Sequence, residues 1–171
     1  TPVRSLFPYG IAVGLVSFFI GAVNPAAIFA RALGKDLSQG SGNPGATNAG
    51  RVMGRKWGVL VGVLDVLKGV VPALVASLTL GLFFAYVAGF AAVLGHVYSP
   101  FLKGRGGKGV ATALGAVLAV HPLVAGVLVA IFGVVFVASR WVALSSVAAA
   151  LGLIGVAIAA EVGATWAGLQ G

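Results

Sequence analysis

Apolar runs dominate the sequence, and most of them are close to the length that a helix needs to cross a lipid bilayer. Hydrophobic residues make up 60% of the 171 residues and charged residues only 8%, whereas about a quarter of the residues in a soluble domain are charged. The alternation of polar and apolar residues that is typical of a membrane barrel is not visible. The sequence therefore predicts an all-α, polytopic transmembrane helix bundle that forms a single domain over residues 1–171.

The apolar runs predict about six membrane spans. A single helix over residues 109–138 would be about 45 Å long, well beyond a bilayer core of about 30 Å, so we expect a turn at His121-Pro122. The first run resembles a signal peptide, but it lacks a clean cleavage site, and we expect a retained helix. The predicted spans are residues 8–30, 57–77, 80–97, 109–120, 123–138 and 142–160.

Cations lie in alternate loops of this predicted bundle. The loops near residues 77–81 and 121–122 contain no Lys or Arg. The positive-inside rule therefore places the odd-numbered spans with their ends in the cytoplasm and the N-terminus outside. The loop cations are Arg31, Lys35, Arg51, Arg55 and Lys56 after span one, Lys103, Arg105 and Lys108 after span three, and Arg140 after span five.

Composition also excludes several kinds of function. The formal net charge of +8 suits anionic lipids, anionic substrates or topology, but no soluble basic face is available to bind nucleic acid. The absence of cysteine excludes disulfides, thiol catalysis and thiolate metal sites. With one His in each of two loops and no clustered carboxylates, we expect neither a metal nor a cofactor.

Two glycine-rich segments, residues 40–51 and 103–109, interrupt the apolar chain. Each contains a G-x-G-x-x-G spacing, but no strand precedes it, so neither is a dinucleotide fingerprint. The second is not a Walker A loop, because Gly109 follows Lys108 where that motif needs Ser or Thr. A glycine-rich turn before a helix N-terminus still favours anion binding through free amides and the helix dipole. The alternative is a flexible, basic, lipid-facing loop.

The first segment adds polar side chains that suit a phosphorylated polyol. Arg can bind a phosphate with two hydrogen bonds, while hydroxyl and amide groups bind hydroxyls. Thr47 and Arg51 would share a helix face if residues 46–56 are helical. Helix capping is the simpler explanation of the Ser, Asn and Thr residues. The polar residues of this segment are Ser41, Asn43, Thr47, Asn48 and Arg51.

Ionisable residues also occur within or beside the spans. Asp65 and Lys68 fall inside span two at an i,i+3 spacing, and charges at membrane depth mark either a polar cavity or a mutual ion pair. His96 ends span three, where it could be a base, a phosphate donor or a cap. His121 precedes Pro122 and is predicted to be a turn residue on the opposite side of the membrane.

Several segments resemble the signatures of one bacterial family, the acyl-phosphate:glycerol-3-phosphate acyltransferases of the PlsY type. The run GSGNPGATNAGR from Gly40 resembles the first signature of this family, and GGKGVAT from Gly106 resembles its second. The runs LDVLKG from Leu64 and SRWVALSS from Ser139 also fit the family pattern. The resemblance extends from about Gly21 to Leu151.

The sequence departs from the family pattern at some positions. Ser38 or Gln39 stands where the family has an arginine, and Gly104-Arg105 replaces a Phe-Lys pair. Gly21-Ala22-Val23-Asn24-Pro25 stands near the usual Gly-Ser-Ile-Pro. The family's seventh helix and its third signature, His-Arg-x-Asn-Ile, do not occur in these 171 residues. We therefore expect a truncated or divergent form whose transfer is slow or partly replaced by hydrolysis.

The resemblance implies transfer of a fatty acyl group from acyl phosphate to the 1-hydroxyl of glycerol 3-phosphate, the first step of phospholipid synthesis. It implies a monomer in the bacterial plasma membrane, in contact with membrane lipid, with its active site on the cytoplasmic face. The alternatives are a transporter of phosphate or phosphorylated metabolites and an inactive truncated form. The predicted catalytic residues are Ser41, Arg51, His96 and Lys108, and the predicted substrate-binding residues are Gly40, Gly42, Asn43, Thr47, Asn48, Asp65, Lys68, Lys103, Gly104, Gly106, Gly107, Gly109 and Thr112.

Overall fold

The computed structural model describes the backbone of residues 2–170 and the side chains of residues 6–165, 167 and 168. This part of the chain is all-α, as predicted. Two short 3-10 helices, Leu37–Gln39 and Pro100–Leu102, directly precede the first and the second glycine-rich segment. The α-helices of the described residues are α1 (Pro2–Ala22), α2 (Pro25–Ala32), α3 (Ala46–Met53), α4 (Arg55–Leu80), α5 (Leu82–Val97), α6 (Val110–Val120), α7 (Pro122–Ser139) and α8 (Val142–Gln170).

Five helical segments of the described chain are long and apolar enough to cross a membrane. They are residues 6–32, 55–80, 82–102, 122–139 and 142–165. Helix α6 is apolar but has only 11 residues, about 17 Å at 1.5 Å per residue, so it cannot cross a bilayer core alone. The predicted turn at His121-Pro122 is confirmed, since α6 ends at Val120 and α7 begins at Pro122.

The first predicted span is not one continuous helix. It consists of α1 and α2, which are separated at Val23 and Asn24. Asn24 caps α2, because its Oδ1 accepts a hydrogen bond from the Ala27 amide at 2.8 Å, and Pro25 occupies the first helical position. The Asn24 Nδ2 also donates to the Pro44 carbonyl at 2.9 Å. This residue therefore separates α1 from α2 and anchors the first glycine-rich segment.

The chain divides into two compact units, of which the first reaches Val120 and contains α1 to α6. Close helix packing in this unit depends on small residues. A Cβ on Gly69 of α4 would overlap the Thr112 carbonyl of α6, and one on Gly115 of α6 would overlap the Val66 carbonyl of α4. The two backbones thus lie in direct contact, and α6 begins beside the middle of α4.

The second unit begins at His121 and contains α7 and α8. Arg140 ends α7 in a left-handed conformation, with φ of 57°, and reverses the chain. The Ser145 hydroxyl donates to the Trp141 carbonyl at 2.9 Å, and Gly152 of α8 packs against Ile131 of α7. The residues predicted to form the site all lie in the first unit.

Candidate active site

Asn48 holds the first glycine-rich loop, residues 40–45, in shape. This buried side chain accepts a hydrogen bond from the Ser41 amide through Oδ1 and donates one to the Leu37 carbonyl through Nδ2, both at 2.8 Å. A Cβ on Gly40 would overlap the Asn48 Oδ1. Because both ends of its carboxamide bond to the main chain, we assign Asn48 to the loop rather than to a substrate.

The amides of this loop are mostly occupied as well. Gly40 and Gly42 both donate to the Leu37 carbonyl, at 3.2 and 3.0 Å. The first amide of α3 that bonds in helical fashion is that of Ala49, which donates to the Gly45 carbonyl. Within the described chain, the amides of residues 46–48 have no such acceptor, as expected for the first turn of a helix. The amides that remain free to bind an anion are therefore those of Gly45 and of the first turn of α3, whereas those of Gly40 and Gly42 are occupied.

Polar side chains lie before α3 and along its length, with Arg51 in its last turn. Ser41, Thr47 and Arg51 are exposed, and Asn43 is half-buried. Helix α3 contains both Thr47 and Arg51, so the prediction that they share one helix face is confirmed. The helix ends at Met53 and does not continue to residue 56. Hydroxyl and guanidinium groups are thus available on one face of a helix whose N-terminus attracts anions.

The second glycine-rich loop, residues 103–109, folds back on the end of α5. Gly104 donates to the Ser99 carbonyl at 2.8 Å, Gly106 to Val97 at 2.9 Å, and Gly107 to His96 at 3.1 Å. The prediction that these glycine amides face an anion is wrong, because they already bond to main-chain carbonyls. Their function in the structure is to hold the loop against α5.

Free donors begin one residue later. In the described structure, the amides of residues 108–111 have no hydrogen-bond acceptor, and the first helical bond runs from Ala113 to the Gly109 carbonyl. Gly109 has φ of +79°, a left-handed conformation that glycine adopts without strain, and it turns the chain into α6. The exposed Lys108 side chain lies at the end of the loop, directly before Gly109. The N-terminus of α6, with Lys108 beside it, is therefore suited to bind an anion.

The two helix N-termini approach the same stretch of α4. The Ala46 Cβ at the start of α3 would lie 3.4 Å from a Cβ on Gly62. The Thr112 hydroxyl near the start of α6 donates to the Asp65 carbonyl at 3.0 Å. Gly62 and Asp65 are three residues apart, about 4.5 Å along the helix axis. Loops that are more than 50 residues apart in sequence are thus brought together on about one turn of α4.

Three ionisable side chains form a buried cluster next to this turn. The Lys68 Nζ lies 3.0 Å from the Asp65 Oδ1 and 2.9 Å from the His96 Nδ1, and the Asp65 Oδ1 lies 3.6 Å from the same ring nitrogen. The exposed fractions are 2% for Asp65, 8% for Lys68 and 4% for His96. The structure thus supports the ion-pair alternative for Asp65 and Lys68, and the prediction that Asp65 contacts a substrate directly is not supported by its burial.

Two other polar groups are used in packing. Thr112 is fully buried with its hydroxyl on α4, so its predicted contact with substrate is wrong for this structure. Ser99, which the sequence prediction missed, is also fully buried and donates to the Ala22 carbonyl at 2.6 Å. No motif marks Ser99, because its acceptor lies 77 residues away. No group of three His, Cys, Asp or Glu side chains suited to a metal occurs among the described residues.

An apolar groove of about 410 Å³ lies between α1, α2 and α4. Its walls are aliphatic and aromatic apart from Lys68, which belongs to the buried cluster. A groove of this kind suits a hydrocarbon chain, because its apolar walls leave no polar group of the protein unpaired against the chain. Its lining residues are Ile20, Val23, Pro25, Ile28, Phe29, Leu64, Leu67 and Lys68.

The amino-acid sequence is similar to a family of known enzymes over most of its length. Residues 11–169 match the family described as glycerol-3-phosphate acyltransferase. The chain is 43% identical over 140 residues to the glycerol-3-phosphate acyltransferase of Aquifex aeolicus, which covers 80% of this chain and 73% of that protein. It is 48% identical over 139 residues to the Geobacter sulfurreducens protein of the same name, covering 79% of this chain and 71% of the relative.

A solved structure is also similar. The crystal structure of PlsY, an integral membrane glycerol 3-phosphate acyltransferase, in its glycerol 3-phosphate form matches 89% of this chain and 78% of its own, with a TM-score of 0.85 and 39% sequence identity. The lysophosphatidic acid form of PlsY matches with a TM-score of 0.82 at the same identity. The fold similarity and the sequence similarity thus indicate the same family.

Proposed function

Since the chain belongs to the glycerol-3-phosphate acyltransferase family, as the sequence predicts, we propose that it transfers an acyl group from acyl phosphate to the 1-hydroxyl of glycerol 3-phosphate. The observation that carries the choice of donor is the convergence of two helix N-termini, those of α3 and α6, on one turn of α4. Both proposed substrates carry a phosphate, and each N-terminus can bind one.

The reaction needs no covalent intermediate on the protein. The hydroxyl oxygen of glycerol 3-phosphate attacks the carbonyl carbon of the mixed anhydride, and a new ester bond forms. The bond between that carbon and the phosphate oxygen breaks, and the hydroxyl proton passes to a phosphate oxygen. The products are 1-acyl-glycerol 3-phosphate and inorganic phosphate. Positioning of the two anions and neutralisation of their charge supply the acceleration.

We assign the glycerol 3-phosphate to the N-terminus of α6, where Lys108 and the amides of residues 108–111 are available. Arg51 supports this phosphate or the acyl phosphate through a bidentate hydrogen bond. Ser41, Asn43 and Thr47 lie near the N-terminus of α3 and orient the acyl phosphate or the accepting hydroxyl. The side chains of Ser41 and Thr47 are exposed, so they can reach a ligand without rearrangement of the core.

The apolar groove accounts for the hydrocarbon part of the donor. It is bounded by α2, which Asn24 ties to the first glycine-rich loop through the Pro44 carbonyl. An acyl chain in this groove would keep its phosphate end near the α3 N-terminus. An acyl chain in the membrane is already out of water, so the groove can favour it over the surrounding lipid only through close van der Waals packing.

The protein is a multi-pass integral membrane protein, and we propose that its site faces the cytoplasm of a bacterial plasma membrane. The distribution of cations among the loops supports this orientation. A monomer suffices, because the proposed ligands contact one chain. The transporter alternative loses its main support, since Asp65 and Lys68 pair with each other rather than lining an open polar path.

The decisive experiment is an assay of the purified protein in liposomes with synthetic acyl phosphate and labelled glycerol 3-phosphate. We expect lysophosphatidic acid and inorganic phosphate to form together. Lys108→Gln should lower the rate at least about tenfold, as loss of a hydrogen bond to a charged group predicts, whereas Lys35→Gln, which changes another exposed cation, should not. Phosphate uptake into the liposomes without ester formation would refute the proposal.

A further inference from the structure

The buried cluster assigns a definite protonation pattern to His96. The Lys68 Nζ lies 2.9 Å from the Gly21 carbonyl, 2.7 Å from the Val23 carbonyl and 2.9 Å from the His96 Nδ1. An ammonium group has three N–H donors and no lone pair, so these three partners must all accept. The carboxylate of Asp65, 3.0 Å away, favours the charged form of the lysine. The His96 Nδ1 is therefore unprotonated, and the single ring proton is on Nε2.

The Nε2 atom is directed at the second glycine-rich loop. A Cβ on Gly107 would overlap it, and the next closest ring atoms would be Cε1 and Cδ2 at 3.0 and 3.2 Å. The ring is 96% buried, at 4% exposure, yet no residue in the described part of the chain accepts a hydrogen bond from Nε2. Nε2 is not one of the fully buried unpaired side-chain atoms of the described chain, so it keeps access to the space beside the second loop, where its N–H can bond a ligand. The nearest free amides are those that follow Gly107, at the start of α6.

We propose that His96 donates a hydrogen bond from Nε2–H to the phosphate group bound at the N-terminus of α6, and that Lys68 is the positioning residue that fixes this tautomer. The proposal rests on the proposed function, because the phosphate is that of glycerol 3-phosphate or of acyl phosphate. It excludes His96 as the general base: its Nδ1 lone pair is engaged by Lys68, and its Nε2 already carries a proton. His96 is thus a neutral donor to the substrate.

The position of Lys68 is itself determined by the end of α1. The Gly21 and Val23 carbonyls lie at the C-terminal end of that helix, where carbonyl groups have no helical partner and a cation is favourable. Lys68 therefore connects three elements: its own helix α4, the end of α1, and His96 on α5. The absence of a side chain at Gly107 leaves room for the imidazole edge to reach the site.

The direct test is nitrogen-15 NMR of the histidine side chains in the purified wild-type protein. The chain contains two histidines, so His121→Gln identifies the signals of His96. We expect His96 to be protonated on Nε2 alone and its Nε2 signal to shift when glycerol 3-phosphate is added. A second titration with inorganic phosphate alone, and a third with a non-hydrolysable acyl phosphate analogue, show which phosphate is bound. A ring protonated on Nδ1, or an Nε2 signal that no phosphate compound shifts, would overturn the proposal.

Kinetics of paired variants provide the second measurement. The amide of His96→Gln can place a donor near the Nε2 position, whereas that of His96→Asn reaches only the Nδ1 position. We expect His96→Asn to raise the KM for the bound phosphate substrate at least about tenfold and His96→Gln to raise it much less. Lys68→Met removes the donor to Nδ1, so His96 should populate both tautomers and the same KM should rise. Lys68→Arg keeps a cationic donor and should retain more activity than Lys68→Met. Equal KM values for the Gln and Asn variants, in protein that remains folded by thermal unfolding, would refute the donor role.

These outcomes separate the two proposals. If the wild-type protein forms no lysophosphatidic acid, the proposed function fails, whatever the tautomer of His96. If ester forms at a normal rate but His96 carries its proton on Nδ1, the proposed function stands and the donor role fails.

Discussion

The substitution Gly107→Ala tests the geometry of the second loop most directly. Gly107 is not among the glycines with positive φ, so alanine is compatible with its backbone conformation. The obstacle is the His96 ring, because a Cβ would overlap Nε2. The loop cannot easily retreat, since the Gly106 and Gly107 amides are bonded to the Val97 and His96 carbonyls at 2.9 and 3.1 Å. Either the ring or the loop must move.

The expected magnitude follows from the cost of an added methyl group in a packed site. Overpacking of this kind costs about 1–3 kcal/mol. If the ring moves, it also loses the hydrogen bond from Lys68 at 2.9 Å. Should this cost fall wholly on the bound state, the KM for glycerol 3-phosphate would rise by a factor of roughly 5 to 150. We expect the KM to rise more than kcat falls, because the change disturbs binding of the phosphate rather than the reacting carbonyl.

The assay is steady-state transfer in liposomes, with glycerol 3-phosphate varied at saturating acyl phosphate. Gly133→Ala serves as the control, since a Cβ there has no heavy atom within 4 Å. The double variant Gly107→Ala/His96→Ala removes the overlap, so the two changes should be strongly non-additive. A Gly107→Ala protein with wild-type KM, or additive effects in the double variant, would show that the ring and the loop are not in contact at the site.

Three further predictions concern other parts of the first unit. Arg51→Lys should lose most of the activity at unchanged charge, because lysine cannot form the planar bidentate contact, whereas Arg55→Lys should not; equal turnover in both would assign Arg51 to topology alone. Gly115→Ala should lower stability in detergent by about 1–3 kcal/mol, since the methyl meets a carbonyl of α4, while Gly155→Ala, with nothing within 4 Å, should not lower the unfolding temperature. The Ser38 amide donates a hydrogen bond to the Asp36 carboxylate at 2.9 Å and lowers the pKa of this carboxyl group. The stability that this bond contributes is therefore fully present above the ordinary pKa of 3.8 and is lost as the pH falls through the lowered pKa of the folded protein. Asp36→Asn should reduce that acid-dependent loss in a pH series of thermal unfolding.

Much of the fold could be predicted because its causes are local. The apolar runs predict helices, since a backbone in lipid must form its hydrogen bonds within the segment. Pro122 marks the start of α7 correctly, because proline is favourable at the first turn of a helix. The prediction of the first span as one helix is wrong, because Asn24 caps a new helix and Pro25 begins it.

The predicted site remains a prediction, and the structure changes which of its atoms are available to a ligand. Ser41, Arg51 and Lys108 are exposed and remain predicted site residues. The amides of Gly104, Gly106 and Gly107 and the Thr112 hydroxyl are instead used in folding. Glycine-rich composition indicates that a backbone approaches something closely; it does not indicate whether the partner is a ligand or another part of the chain.

The sequence by itself determined the membrane-embedded, all-α character of this protein and its family, because hydropathy and short motifs are properties of contiguous residues. Only the tertiary structure decided which donors remain free and where His96 points. The contacts responsible join residues that are far apart in sequence: Lys68 reaches Gly21 across 47 positions and His96 across 28. A hydrogen bond occupies a donor only when folding brings an acceptor within about 3 Å, and no local pattern specifies that encounter.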